Sequence, residues 1–112
     1  MIVKHYIEDK ILLFELTEDL DHHETEKIRK RADYEIERFI PKRVIIDFRR
    51  VKFMDSAGIG LVIGRYKETA SFGGRLELMN VSDKIRRVFE MSGILKIIPI
   101  IDVDLEKNTT SA

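Results

Sequence analysis

The sequence predicts an α/β fold, a mixed β-sheet that opens with a hairpin and has α-helices packed against it. Two runs rich in β-branched and aromatic residues, 2–8 (IVKHYIE) and 10–16 (KILLFEL), flank the polar break Glu8–Asp9–Lys10, which is short enough for a hairpin. Short apolar runs then alternate with stretches of helical period, the order that βαβ crossovers produce. The chain of 112 residues, 44% apolar and 36% charged, suits one compact core under a well-solvated surface.

The elements follow each other closely. After the hairpin, a polar start at 17–21 leads into a helical pattern. Ile28, Ala32, Ile36, Phe39 and Ile40 recur on one face, and Pro41 stops the helix. Residues 43–48 (RVIIDF) hold three consecutive β-branched residues, typical of a strand covered on both sides. Residues 55–74 read as a helix ending at Gly73–Gly74, where a left-handed cap is easy. Residues 75–81 alternate as a strand, and 82–91 form a helix opened by Ser82 and closed near Gly93. Residues 96–101 (KIIPII) read as the last strand, with Pro99 marking an edge position or a bulge. The tail 103–112 is expected to add a helical turn and then fray.

Charge and composition narrow the function classes. Twenty basic residues balance 20 acidic ones, which argues against nucleic acid as a direct partner. The basic runs 27–31 and 84–87 have acidic neighbours and read as solvated helix faces. The chain has no cysteine, which excludes disulfides and thiolate metal sites. No apolar stretch is long enough for a signal peptide or a membrane span, so the expected location is cytoplasmic, away from the membrane.

Functional groups in open α/β sheets gather where a strand end meets the next helix. The sharpest such junction is 53–60 (FMDSAGIG). Either Asp55 or Ser56 could cap the helix by accepting from a free backbone N–H. Gly58 and Gly60 each cost a helix roughly 1 kcal/mol against alanine, and their place in the first turns suggests a close approach to the backbone. The glycine spacing is not that of a dinucleotide loop, and no Walker lysine follows. Met54 stands where a nucleophile elbow needs glycine, and no general base accompanies the serine. On pattern alone Ser56 reads first as a helix-capping residue and second as a phosphate acceptor. A second polar corner is 19–24 (DLDHHE), from Asp19 to Glu24, in which Asp21 with Glu24 three residues on forms an aspartate version of the capping box. The neighbouring His22 and His23 point apart on a helix and do not suggest a metal site, and His5 reads as a packed strand residue.

Four stretches in order carry a resemblance: LDHHETE at 20–26, FMDSAGIGLVIGRYK at 53–67, GG at 73–74 and VFEMSGILKII at 88–98. With them the chain resembles the STAS-domain anti-sigma factor antagonists, most closely the sporulation stage II AA type. The resemblance implies a single STAS domain over 1–112 and a regulatory protein, not an enzyme, with no cofactor of its own. It implies phosphorylation at Ser56 and partner binding through Asp21, Asp55, Ser56, Ala57 and Gly58. The implied partners are an anti-sigma factor that is also an ATP-using serine kinase and a PP2C-type serine phosphatase that resets the switch. A monomer is expected when the protein is free. The alternative is a STAS module that binds a nucleotide or serves as a scaffold subunit. Glu18 departs from the family's frequent glycine before the L-D-H-H segment.

Overall fold

The computed structural model describes residues 1–102 and Leu105. A five-stranded sheet runs in the order β1-β2-β3-β4-β5. Strands β1 (Ile2–Tyr6) and β2 (Ile11–Glu15) form the expected antiparallel hairpin, Ile2 opposite Glu15 and Tyr6 opposite Ile11. Its turn takes residues 7–10, and Lys10 closes it at a φ of 56°. Strands β3 (Arg43–Asp47), β4 (Arg75–Met79) and β5 (Ile100–Ile101) then add in parallel, giving the predicted mixed sheet.

Each parallel step is bridged by a helix: α1 (His22–Phe39), α2 (Ser56–Ser71) or α3 (Asp83–Ser92). Parallel crossovers are right-handed, so strands laid down in sequential order send their helices to the same face. The core follows this geometry. Leu12 and Phe14, Val44 and Ile46, and Leu76 and Leu78 turn to that face and meet Ile28 and Ile36 of α1, Leu61 and Val62 of α2, and Ile85 and Phe89 of α3. The alternate strand positions Ile11, Leu13, Ile45 and Met79 form a smaller cluster with Leu105 on the other face.

Several element ends shift by one to three residues, and three readings change in kind. Residues 96–101 are not one strand: Ile94–Lys96 is a 3₁₀ turn after Gly93, and only Ile100–Ile101 pairs with β4. Pro99 still sits at the sheet edge, just before β5, where its carbonyl accepts from Leu78 N–H at 2.9 Å. Ile40 does not join the buried face of α1. It caps the helix in the left-handed region at a φ of 47° and is about half exposed. The strand expected over 75–81 stops at Met79, since Asn80 turns away at a φ of 56°. The expected tail turn over 103–112 lies, apart from Leu105, outside the described residues.

Gly73 supplies the left-handed turn after α2, at a φ of 82°. Gly74 serves a different need. A Cβ there would sit 2.5 Å from the Pro41 carbonyl oxygen and 3.0 Å from Thr69 Cγ2, so only glycine lets the chain leave α2 beside the start of β3. Gly74→Ala should therefore cost about 1–3 kcal/mol by overpacking against backbone that cannot give way. Urea unfolding should show a lower midpoint at unchanged slope; an unchanged midpoint would contradict the close approach.

Candidate functional site

The candidate site grows from the β2–β3 pair. The ladder ends at Glu15 opposite Asp47, and Leu16 N–H continues it by donating to the Asp47 carbonyl at 3.1 Å. A few residues on, the two chain segments meet again. Leu20 N–H donates to the Phe53 carbonyl at 3.0 Å, Asp55 N–H donates to the Leu20 carbonyl at 3.1 Å, and Leu20 and Met54 form an isolated parallel bridge. Both bridge side chains are buried. Asp19 fastens the same contact, its Oδ1 accepting from Lys52 N–H at 2.8 Å and Phe53 N–H at 3.1 Å. Those two N–H groups, with the Lys52 and Lys84 charges behind them, hold the Asp19 carboxyl below the usual carboxylate range.

One residue beyond the bridge on each side, a helix begins. Asp21 caps α1, its Oδ1 accepting from Glu24 N–H at 2.7 Å. Asp55 caps α2, its Oδ1 accepting from Ala57 N–H at 2.8 Å. The choice between Asp55 and Ser56 is thereby resolved: Asp55 is the cap and Ser56 is the first helical residue. Ser56 is exposed, and its hydroxyl makes no hydrogen bond to the described residues. A phosphate on it would stand at the positive end of α2, among N–H groups that suit an anion.

All five predicted site residues share this end of the molecule. Asp21 and Ser56 are exposed, and Asp55 and Ala57 are half-buried. Gly58 is buried, at the third position of α2. The approach that its backbone allows is internal. A Cβ at 58 would overlap the Met54 side chain and reach Leu20 Cδ1 at 3.4 Å, so glycine is what lets α2 start directly on the bridge. Gly60 is different again, with nothing within 4 Å of the place a methyl group would take. It opens onto a groove of about 250 Å³ between α1 and α2, lined by His22, Thr25, Glu26, Arg29, Ala57 and Leu61.

Sequence reasoning placed Asp19 and Phe53 in the two corners but gave neither a role; Phe53 is half exposed. Asp19 acts on residues 33 and 34 positions away, so no local spacing signals it. Phe53 carried a legible signal, an aromatic residue in a polar loop. Glu18 lies outside the left-handed region, so this turn does not require the glycine that it replaces. Among the described residues, no three His, Asp or Glu side chains gather to hold a metal, and no helix is long and apolar enough to cross a membrane.

Residues 3–107 match the STAS domain. The chain is 33% identical over 99 residues to the anti-sigma F factor antagonist of Paenibacillus polymyxa, covering 88% of this chain and 85% of that protein. The unphosphorylated form of the anti-sigma factor antagonist SpoIIAA superposes with a TM-score of 0.81 at 32% identity, covering 98% of this chain and 93% of that one. The phosphorylated form of SpoIIAA, a cell fate determinant of Bacillus, gives a TM-score of 0.74 at 32% identity, covering 98% and 96%.

The two glycines and the cap lead to separable outcomes. Asp55→Ala should lose about 0.5–2 kcal/mol with the cap. Gly60→Ala should gain up to about 1 kcal/mol, because open space surrounds it and alanine favours the helix. Gly58→Ala should lose stability, since the Met54 side chain must move. Thermal melts of the three variants check the order, and a destabilised Gly60→Ala would contradict the open groove.

Proposed function

The chain belongs to the STAS-domain family, with the anti-sigma factor antagonists, and from that premise we propose that it is a phosphorylation-controlled partner switch. In its unmodified form it binds an anti-sigma factor that is itself a serine kinase, and the bound sigma factor is released. The kinase then phosphorylates Ser56 with ATP, which ends the association, and a PP2C-type phosphatase restores the active form. Likeness to the sigma F antagonists and SpoIIAA favours the sporulation pathway. In this reading the chain works as one STAS unit over 1–112, as a cytoplasmic monomer, and needs no cofactor.

The observation that carries the reading is the division of labour at the start of α2. Asp55 does the capping, which leaves the exposed Ser56 hydroxyl uncommitted beside the Asp21 corner. A serine that held the helix would couple modification to unfolding; this one can change charge while the cap stays in place. Asp21 and Asp55 offer carboxylates to a basic partner surface, and the half-exposed Phe53 supplies apolar contact at its rim. A phosphate adds about −1.5 to −2 charge to that surface and displaces the partner by repulsion, bulk and desolvation.

Incubation with the cognate anti-sigma kinase and ATP should add a single phosphate, located on Ser56 by mass spectrometry. Ser56→Ala should bind the kinase and stay unmodified. Ser56→Asp should bind at least about tenfold more weakly, a difference of roughly 1.4 kcal/mol. The phosphorylated protein should keep its circular dichroism spectrum and melting behaviour. A phosphate on another residue, or wild-type affinity in Ser56→Asp, would overturn the mechanism.

A further inference from the structure

The stretch Gly64–Arg65–Tyr66–Lys67 lies in the middle of α2 and takes no part in the site described above. Its arginine is nevertheless among the few buried charged residues, 7% exposed. Arg65 points across to α1, where its Nε stands 2.8 Å from Asp33 Oδ1. One helical turn later on α2, Glu68 brings a second carboxyl to the same place. The cluster is short of hydrogen bonds. Asp33 Oδ1, Arg65 Nε and Nη1 and Glu68 Oε1 are all buried, and none makes a well-directed hydrogen bond to the described residues.

Charge counting then decides the protonation state. Three carboxylates, those of Asp33, Glu68 and Glu26, meet two guanidiniums: the buried Arg65, and Arg29, whose Nη1 is 3.7 Å from Asp33 Oδ2 while its Nη2 is held by Glu26. Glu37, also on α1, adds further negative charge. Strand β4, the other element packed on α2, turns Leu76 and Leu78 toward this face, while its Glu77 is paired with Arg43 at 2.7 Å on the far side of the sheet. No group from β4 therefore supplies the missing positive charge. Burial, then the Asp33 charge, push the Glu68 carboxyl up to about 7.

We propose that Asp33, Arg65 and Glu68 form a proton-holding brace between α1 and α2, in which one proton on the Glu68–Asp33 pair balances Arg65 and its loss weakens the packing of the two helices. The helices so joined are the ones that begin at Asp21 and Ser56, so the brace is a positioning device for the scaffold of the candidate site. It acts in the free protein and does not depend on whether Ser56 is modified.

The linkage has a definite sign. The unfolded chain releases the Glu68 proton above about 4.5, whereas the folded chain holds it to about 7. Stability due to this group is therefore full below about pH 4.5, declines between about 4.5 and 7, and is level above. Glu68→Gln mimics the protonated form, so its melting temperature relative to wild type should climb across that window and then stay constant. Parallel curves for the two proteins would overturn the proposal. Carbon-13 NMR of the wild-type side-chain carboxyls gives a second reading that needs no variant. One glutamate should titrate near 7, and its midpoint should fall in Asp33→Asn, where the like charge is gone. Titration of every glutamate in the ordinary carboxylate range, or a midpoint indifferent to Asp33→Asn, would overturn it equally.

Discussion

The bridge between Leu20 and Met54 is the contact on which the candidate site depends. Neither segment is a strand, and each is short. What brings them together is the parallel pairing of β2 with β3, which sends both chains out of the sheet side by side at their C-terminal ends. The two backbone hydrogen bonds across the bridge, and the two that Asp19 accepts, then fix the segments in one register. Burial of Leu20 beneath them contributes on the order of 1.5–3 kcal/mol. Because the caps Asp21 and Asp55 each follow the bridge by one residue, the starts of α1 and α2 cannot move independently. Two corners far apart in the chain thus become one surface.

That dependence explains which parts of the molecule were legible in the sequence. The hairpin, the α1 stripe through Ile28, Ala32 and Ile36, and the Gly73 and Gly93 caps are local patterns, and they appear where periodicity and turn chemistry put them. The apolar run 96–101 misleads because a short run without alternation does not distinguish a strand from a turn that buries Ile94 and Ile98. Ile40 fits the helical spacing, but the last position before Pro41 serves the cap, and spacing does not reveal the change of conformation there. The role of Asp19 is invisible for the opposite reason: its partners are distant in sequence and are backbone groups, which every residue has.

The glycines of the DSAGIG stretch carry the same lesson at finer grain. In the sequence both suggest a close approach to the backbone. The fold separates them, because Gly58 answers to Met54 inside the molecule while Gly60 answers to nothing within it. A glycine that weakens a helix without serving its packing leaves an open groove beside Ser56. The capping pair shows a similar split between holding the fold and facing outward. Asp55 and Ser56 are equally good N-cap types, so only the backbone geometry tells which one is committed to the helix.

That commitment sets the scale of what a charge on Ser56 can do. In the free protein the site is exposed, and two unit charges about 4 Å apart in water interact by about 1 kcal/mol. Repulsion from Asp55 or Asp21 on that scale is offset by the N-terminal amides of α2, whose dipole favours a nearby anion by about 0.3–1 kcal/mol. The amides offset part of that repulsion and water screens the rest, so a phosphate has limited leverage over folding. Against a docked partner the water is gone, and at an effective dielectric of about 20 the same charge pair is worth about 4 kcal/mol. The amides of α2 do not grow in number to match it, and the phosphate must also shed its hydration. In the proposed switch a single modification at this position would therefore be weak as a folding signal and strong as a binding signal, because the Leu20–Met54 bridge holds both acidic caps at the same end of the molecule.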